Sequence, residues 1–432
     1  AHLQGEVAGY YDRFLKPAPF VPGETPVPVS GKVWDAEELK ALLEASLDGW
    51  WTEGRFTQAV QGELSRFLGV RSVVLCNSGS SANLLHFTAL TSKLLRERRI
   101  RPGSEVISVA AGFPTTLAPI VQNRCLPVLV DIELGTYNID VTRLEEAVTP
   151  KTRAVMIAHT LGNPWDVDPV LAFARRHGLW VIEDCCDALG ATYGGRMVGT
   201  FGDVATLSFY PAHQMTCGEG GAVLTQNGLI KRSLESFRDW GRDCWCMPGK
   251  SDTCGRRFDW QLGSLPQGYD HKYIYSEIGY NLKTTDLQGA LLQAQLKKLP
   301  GFIAARRRNH ALLTEALKPF ESWLLMPRAT TNSDPSWFGY VLTVREGCGI
   351  TRAEIVEHLE RHKIHTRMLF AGNAVRQPAF QDVEYRVVGD LKNTEAVMHR
   401  TFWVGVWPGI SDAMREYMVS VFADLFRGRP AP

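Results

Sequence analysis

The sequence predicts an α/β protein in which a large domain with a mainly parallel sheet is followed by a smaller α/β domain. Short runs rich in β-branched residues alternate with helical stretches between about residues 70 and 226, which is the pattern of βαβ units. Helical spacing of apolar residues returns at 285–318, and a strand-like run at 338–344 precedes further helical stretches. With 432 residues, the chain is long enough for two such domains.

We predict an N-terminal arm at 1–35, a large domain at 36–300 and a small C-terminal domain at 301–432. The arm is rich in proline, and helical spacing begins near its end. A glycine- and cysteine-rich segment at about 239–275 breaks the alternation and is predicted to be an insertion. The strands of the large domain are predicted at SVVLC (72–76), EVISVAA (105–111), LPVLVDI (126–132), AVMIAH (154–159), LWVIEDCC (179–186), VATLSFY (204–210) and GAVLTQ (221–226).

Composition excludes several classes of function. The net charge is +1 and both signs are evenly mixed, which argues against nucleic-acid and membrane-surface partners. No apolar run approaches the roughly 18 residues that a membrane span needs, and the N-terminus lacks the apolar core of a secretory signal. Nine cysteines without such a signal indicate a reducing, cytoplasmic setting in which cysteines are metal ligands or core residues.

Polar motifs follow three of the predicted strands, where ligands bind in parallel sheets. The run 77–83, NSGSSAN, opens a helix and suits an anion such as a phosphate, although an ordinary serine cap has the same pattern. Asp184 ends a strand and could hold a ring nitrogen protonated, or it could cap a helix. Phe113, on the turn AGFPTT, could stack on a flat ring or belong to the core.

A loop after the strand 204–210 is predicted to be the centre of the active site. It carries His213 and ends in the turn Gly218–Gly221, GEGG. Imidazole can accept and donate protons near neutral pH. A buried structural histidine is the alternative for an isolated residue of this kind.

Five motifs occur in a fixed order along the chain and together resemble those of a known enzyme family. They are SGSSAN, AAGFPTT, VIEDCCDALG, SFYPAH with GEGG, and GYN. Nearly the whole chain resembles the sugar-modifying enzymes of the aspartate-aminotransferase fold (PLP fold type I). Within the DegT/DnrJ/EryC1 group it is most similar to the CDP-4-keto-6-deoxyglucose 3-dehydrases. The resemblance implies a pyridoxamine or pyridoxal phosphate coenzyme, with contacts to the phosphate from Gly79, Ser80 and Ser208, to the ring from Phe113, Asp184 and Asp187, and across a homodimer interface from Asn281.

His213 stands where aminotransferases of this fold have the lysine that attaches the coenzyme covalently. An imidazole cannot form that bond, so the resemblance implies noncovalently bound pyridoxamine 5′-phosphate with His213 as the base. The coenzyme amine would condense with a keto group of the substrate, and a neighbouring hydroxyl would leave. For a nucleotide-linked 4-keto-6-deoxyhexose this reaction removes the 3-hydroxyl.

The cysteines form a second motif. Cys186, Cys244, Cys246 and Cys254 have the spacing C-x57-C-x-C-x7-C, which resembles the cluster motif of the same 3-dehydrases. Four thiolates can hold zinc or an iron–sulfur cluster, and composition alone favours zinc. Cys186 lies two residues beyond Asp184, so their Cα atoms are within about 7 Å by chain geometry. A one-electron centre beside the coenzyme favours an iron–sulfur cluster, [2Fe–2S] with [4Fe–4S] as the alternative.

The resemblance also implies partners. Replacing the C–O bond by C–H requires two electrons that neither the coenzyme amine nor a histidine supplies. We therefore expect an NAD(P)H-dependent iron–sulfur flavin reductase as the electron donor in 3,6-dideoxyhexose biosynthesis.

Three alternative interpretations remain at this stage. A dehydratase without reduction would release a keto sugar by hydrolysis and recover its amine from glutamate. An ordinary sugar aminotransferase is disfavoured by His213, and an inactive sensor or scaffold is disfavoured by the otherwise complete coenzyme set. Candidates for contacts to the nucleotide sugar are Arg367, whose guanidinium suits a diphosphate, and the segments 337–339 and 271–273.

Overall fold

The computed structural model describes residues 2–246 and 249–430. Ala1 of the predicted arm, Met247 and Pro248 of the predicted insertion, and residues 431–432 of the predicted C-terminal domain lie outside the described residues. Within the described ranges, no helix combines the length and the apolar character needed to cross a membrane.

Two helices open the chain, helices and strands then alternate from residue 55 to residue 184, and four further strands lead to the helix that ends at residue 238. The helices are α1 (His2–Phe14), α2 (Ala36–Leu47), α3 (Arg55–Leu68), α4 (Gly79–Ala89), α5 (Pro114–Gln122), α6 (Leu144–Ala147), α7 (Val167–His177) and α8 (Gly228–Arg238). The strands are β1 (Ser72–Cys76), β2 (Glu105–Val109), β3 (Leu126–Val130), β4 (Thr152–Ala158), β5 (Trp180–Asp184), β6 (Thr192–Tyr193), β7 (Arg196–Met197), β8 (Val204–Ser208) and β9 (Gly221–Thr225).

The rest of the chain begins with a long helix and continues with shorter elements. The helices are α9 (Asp286–Leu317), α10 (Arg352–Arg361), α11 (Lys392–Arg400) and α12 (Asp412–Phe426). The strands are β10 (Leu324–Leu325), β11 (Ser333–Asp334), β12 (Gly339–Val344), β13 (Arg386–Val387) and β14 (Thr401–Gly405). The boundary predicted at residue 300 falls inside α9, and the division into domains stays a prediction.

A sheet of eight strands organises the large part of the molecule, in the order β1-β9-β8-β5-β4-β2-β3-β13. The pairs from β8 to β13 are parallel, and β9 alone runs antiparallel to its neighbours β1 and β8. The predicted α/β class with a mainly parallel sheet is therefore confirmed. Because β1, β2, β4, β5 and β8 point the same way, their carboxyl ends meet at one edge of the sheet.

The strands are buried because helices cover both faces of this sheet. In β4, Val155 and Ile157 pack into one apolar cluster, whereas Ala154 and Met156 pack into another on the opposite face. Strands buried on both faces explain the continuous apolar runs in the sequence. A smaller sheet, β10-β12-β14, forms the centre of a separate core with α10 and α12.

The N-terminal arm packs on the C-terminal part of the chain. Val27 forms a parallel bridge with Ile364, and the indole of Trp407 donates a hydrogen bond to the carbonyl oxygen of Pro28 at 2.9 Å. These contacts hold the arm against the C-terminal part of the chain. Ser30, which follows them in the sequence, lines the main cavity at the carboxyl edge of the large sheet.

Candidate active site

A cavity of about 700 Å³ opens at the carboxyl edge of the large sheet. Its walls come from the loops after β1, β2, β4, β5 and β8 and from the segment around residue 367. Of the predicted coenzyme and catalytic residues, the cavity brings together Gly79, Ser80, Phe113, Asp184, Asp187, Ser208 and His213. These residues are up to 134 positions apart in the chain, and the strand order explains why they meet.

The first turn of α4 forms one end of the cavity. Ser78 caps this helix, and its side chain accepts a hydrogen bond from the Ser81 backbone nitrogen at 3.0 Å. A Cβ atom on Gly79 would lie 2.4 Å from Cβ of Ser208, so only glycine fits there. The exposed Ser80 hydroxyl donates to Oγ1 of Thr115 at 3.2 Å. Free backbone N–H groups, hydroxyls and a helix N-terminus make a place where a phosphate fits.

Asp184 lies at the end of β5 and is 4% exposed. Its Oδ2 accepts hydrogen bonds from the Asn83 amide at 2.9 Å and the Thr116 hydroxyl at 2.7 Å. Among the described residues, no lysine, arginine or histidine forms an ion pair with this carboxylate. A buried carboxylate needs a cationic partner, and the protonated ring nitrogen of a pyridine coenzyme would supply one.

His213 and Asp187 face each other in the cavity, with 3.5 Å between Nδ1 and Oδ1. Nδ1 has no hydrogen-bond partner among the described residues. Burial lowers the pKa of His213 to about 3. The positive charge of Arg306 lowers it further, whereas the negative charge of Asp184 opposes the shift. Burial and the nearby Asp184 raise the pKa of Asp187 to about 8. The imidazole is therefore neutral, as a proton acceptor must be.

Phe113 is 48% exposed and lies at the cavity. Its ring meets the edge of Phe370 with 5.6 Å between centroids. The alternative of a buried core position for Phe113 is therefore excluded. Its role in stacking stays a prediction.

Asn281 is not among the residues that line the cavity. It is exposed and forms an antiparallel bridge with Asp239. The structure contains one chain, so the predicted contact from Asn281 to a phosphate in another subunit stays a prediction.

The predicted metal ligands fall into two places. Cys244, Cys246 and His271 bring their ligand atoms within 4.8 Å of one another, and Sγ of Cys254 lies 3.6 Å from Nε2 of His271. Cys186 instead lines the coenzyme cavity. Burial opposes ionisation of Cys246, but hydrogen bonding by Thr253 and other neighbours lowers the pKa of this thiol to about 6.

Sequence reasoning missed three kinds of residue. Asn83 and Thr116, whose side chains donate hydrogen bonds to Asp184, lie within the motifs SGSSAN and AAGFPTT. The available signal for Asn83 was its position four residues after Gly79, which places both residues on one face of a helix. His271 was considered only as a pocket residue. Arg306 carries no local signal, because it reaches the His213 loop from a helix 93 residues away in sequence.

Comparisons with known proteins agree with this geometry. The model of the DegT/DnrJ/EryC1/StrS aminotransferase family matches residues 33–423. The chain is 55% identical over 420 residues to the lipopolysaccharide biosynthesis protein RfbH of Salmonella typhimurium, covering 97% of this chain and 96% of the relative. It is 53% identical over 414 residues to a dTDP-4-dehydro-2,6-dideoxy-D-glucose 3-dehydratase of Saccharopolyspora spinosa, covering 96% and 89%.

The fold is also similar to a solved structure. An E coli GDP-4-keto-6-deoxy-D-mannose-3-dehydratase with bound hydrated PLP superposes with a TM-score of 0.82 at 28% sequence identity. The match covers 91% of this chain and 98% of that one. The predicted fold type is confirmed by this likeness.

Proposed function

The chain belongs to the DegT/DnrJ/EryC1/StrS aminotransferase family, and from this premise we propose that it is a pyridoxamine-phosphate-dependent 3-dehydratase of a nucleotide-linked 4-keto-6-deoxyhexose. The observation that carries the proposal is a neutral imidazole, His213, in a cavity that no lysine lines within the described parts of the chain. Without a lysine the coenzyme has no covalent anchor, and amine transfer loses its usual catalyst. Two similar proteins support the same reaction class, namely the dTDP-4-dehydro-2,6-dideoxy-D-glucose 3-dehydratase of Saccharopolyspora spinosa and the E coli GDP-4-keto-6-deoxy-D-mannose-3-dehydratase.

The residues of the cavity fit the coenzyme. Its phosphate would be held by Gly79, Ser80 and Ser208, and its ring by Phe113 and Asp184. When bound, pyridoxamine phosphate supplies an amine that condenses with the keto group and a ring that withdraws electrons so that a neighbouring hydroxyl can leave. The buried, unpaired carboxylate of Asp184 is what keeps such a ring an effective electron acceptor.

The chain's own residues would handle protons and substrate position. His213 would accept a proton, since its pKa is low and its Nδ1 has no partner among the described residues. Asp187, with a pKa of about 8, holds a proton at neutral pH beside the imidazole. Among the described residues that line the cavity, no other arginine and no lysine accompanies Arg367. Its guanidinium would bind the diphosphate of the substrate.

We also propose that a metal centre accompanies the coenzyme site. Cys244, Cys246 and Cys254 all lie close to one side chain, His271, and this grouping supports an iron–sulfur cluster that takes electrons from an NAD(P)H-dependent iron–sulfur flavin reductase. Two electrons and a proton would then replace the leaving hydroxyl by hydrogen at C3. The second candidate function is dehydration without reduction, with glutamate restoring the amine, and the absence of bound iron would favour it.

The reaction is tested with full-length protein, pyridoxamine phosphate and a nucleotide-linked 4-keto-6-deoxyhexose, with the products followed by NMR. We expect loss of the 3-hydroxyl, and we expect His213→Asn to lower kcat by about 10²–10⁴ because a general base is removed. The matched control is His362→Asn, because His362 is not among the residues that line the cavity. A product that carries an amine at C4 and retains its 3-hydroxyl would show an aminotransferase instead.

The reductive step is tested separately. Anaerobically purified protein is analysed for iron, sulfide and zinc, and its absorbance is recorded before and after dithionite. Stoichiometric iron and sulfide that bleach on reduction are expected. Zinc, or no metal, combined with turnover that depends on glutamate, would contradict electron transfer and leave the dehydratase step intact.

A further inference from the structure

We propose that a basic cleft beside the Cys-rich segment is the surface on which the electron-donor protein docks, and that this protein presents an acidic face to it. The basic cleft is defined by four side chains that line it, which are Lys93, Arg232, Arg242 and Arg256. The inference rests on the proposed reductive function, to which it adds the place and the chemistry of the contact between the two proteins.

The basic cleft has a volume of about 670 Å³ and lies between three segments of the chain. One wall comes from the short helical turn that begins at Lys93, a second from α8, and a third from residues between 242 and 277. Cys244, one of the predicted metal ligands, belongs to the third wall. Among the described residues, the basic cleft and the coenzyme cavity have no lining residue in common. A protein bound in the cleft would therefore reach a predicted metal ligand from outside the coenzyme cavity.

The four basic side chains are available to a ligand. None of them forms an ion pair with a carboxylate of residues 2–246 or 249–430. Lys93, Arg232 and Arg256 are exposed. Nε of Arg242 is buried and has no hydrogen-bond partner in the described part of the chain. Unpaired cations on a concave surface produce a positive potential, which attracts an anionic partner and raises its rate of association.

The acidic side chains of the same cleft already have partners. Glu235 forms an ion pair within its own helix, α8, at 3.3 Å. Glu277 accepts a hydrogen bond from the Ser92 hydroxyl at 2.6 Å, and Asp243 accepts one from the Ser276 hydroxyl. These carboxylates hold local structure together. The charge that the basic cleft offers to a ligand is therefore positive.

The aromatic residues of the cleft favour a protein as the ligand. Trp245 is 48% exposed, packs on Trp260 with 4.9 Å between ring centroids, and lies 5.3 Å from the guanidinium of Arg232. Exposed tryptophan and arginine supply most of the binding energy in protein–protein interfaces. Pockets for small molecules are mostly apolar and contain few charged groups, whereas four basic and three acidic side chains line this cleft. An acidic protein face matches both the charge and the aromatic surface.

A second copy of this chain matches the basic cleft less well. In a dimer with two-fold symmetry, a patch on the axis meets the same patch of the other copy. The unpaired cations would then oppose one another, which costs binding energy. The same cations attract an acidic electron donor and place it beside Cys244.

The test measures binding to anaerobically purified full-length protein. The probe is a plant-type [2Fe–2S] ferredoxin, an acidic one-electron carrier, and cytochrome c, a basic one-electron carrier, is the control probe. We expect ferredoxin to bind more tightly than cytochrome c and its affinity to fall as salt is added. Arg232→Glu combined with Arg256→Glu should weaken ferredoxin binding more than about 10-fold, because attraction becomes repulsion.

The matched control reverses two charges outside the basic cleft. Lys318→Glu combined with Arg361→Glu makes the same change in net charge, and both side chains are exposed and absent from the cleft lining. This variant should bind ferredoxin nearly as well as the wild type. Carbodiimide joins a carboxylate to a neighbouring lysine amine, so it should cross-link ferredoxin to Lys93, which mass spectrometry locates.

Three results would overturn the inference. They are equal affinity of the wild type for both probes, equal affinity of the cleft variant and its matched control for ferredoxin, and a changed oligomeric state of the cleft variant in sedimentation velocity. The last result would make the cleft an interface between copies of this chain. Pyridoxamine phosphate binding, measured by absorbance, checks that each variant is folded.

Metal analysis separates this inference from the proposed function. If iron and sulfide are absent but the cleft variant still loses ferredoxin binding, electron transfer fails and the docking surface stands. If iron and sulfide are present but the cleft variant binds ferredoxin as well as the wild type, the docking surface is wrong and the reductive function stands.

Discussion

Replacing Arg306 by methionine should disturb the loop that carries His213. The guanidinium is fully buried and donates to the carbonyl oxygens of Ala212 at 3.1 Å and His213 at 2.9 Å. It also donates to Trp337 and Phe338, both at 3.2 Å. No carboxylate forms an ion pair with it among the described residues, so its role is to hold four backbone oxygens together.

The size of the effect follows from these four contacts. A buried carbonyl that loses its donor costs about 1–3 kcal/mol, so Arg306→Met should lower the free energy of unfolding by about 4 kcal/mol at the low end of that range. The melting temperature should fall by a few degrees. Arg306→Lys retains the charge and up to three donors, so its loss of stability should be smaller.

Arg306 also affects the protonation of His213. Its charge lowers the pKa of the imidazole, so the pKa rises in Arg306→Met. Because the neutral imidazole is the active base, the acid limb of the kcat–pH profile should move to higher pH in this variant. In Arg306→Lys, which keeps the charge, the acid limb should stay near its wild-type position.

The assay combines thermal unfolding with pH profiles of dehydration. Arg308→Met is the matched control, since Arg308 lies on the same helix, is exposed and pairs with Asp412 at the surface. An exposed pair of this kind contributes less than about 1 kcal/mol. If Arg306→Met and Arg308→Met have the same melting temperature and the same acid limb, the role given to Arg306 is wrong.

Three further changes test the coenzyme site. His213→Lys should form a covalent adduct with pyridoxal phosphate, which borohydride reduction traps on the protein and mass spectrometry detects. If no such adduct is found, the placement of residue 213 beside the coenzyme is wrong. Asp184→Asn should weaken coenzyme binding more than 10-fold, because it removes about 1.4 kcal/mol or more of charge pairing. Titration by fluorescence measures this affinity, and an unchanged value would argue against a contact to the ring nitrogen. Gly79→Ala places a Cβ 2.4 Å from that of Ser208 and should reduce the affinity for pyridoxamine phosphate more than the affinity for pyridoxamine. Calorimetry detects this difference. An equal loss of both affinities would indicate general disruption of the site.

Local patterns explain which parts of this molecule could be predicted. The strands β1, β2, β3, β4, β5, β8 and β9 coincide with the predicted runs because strands buried on both faces are apolar throughout. Gly79 and Asp184 could be predicted to line the site because one lies at a helix start and the other at a strand end. Both are properties of a few adjacent residues, and the strand order then brings them into one cavity.

Contacts between distant segments could not be predicted in the same way. Arg306 sits among three consecutive arginines, and nothing in the sequence distinguishes it from Arg308, which is exposed. His271 is adjacent to no cysteine, and it meets Cys246 only because the loop from 249 to 270 folds back. For Cys186, closeness to Asp184 in sequence predicts a cluster beside the coenzyme, and the role of this thiol as a metal ligand stays a prediction.

Backbone contacts connect the Cys-rich segment to the coenzyme cavity, and this connection bears on how electrons would reach the coenzyme. The Cys-rich segment is joined at its two ends, where Asp239 pairs with Asn281 and Arg242 pairs with Tyr275. Directly after this pairing, the carbonyl oxygen of Leu282 accepts a hydrogen bond from the backbone nitrogen of Asn77 at 2.9 Å, two residues before Gly79. A metal held in the Cys-rich segment would thus be connected to the coenzyme cavity through a few hydrogen-bonded residues, and Cys186, which lines that cavity, stays the predicted ligand on the coenzyme side.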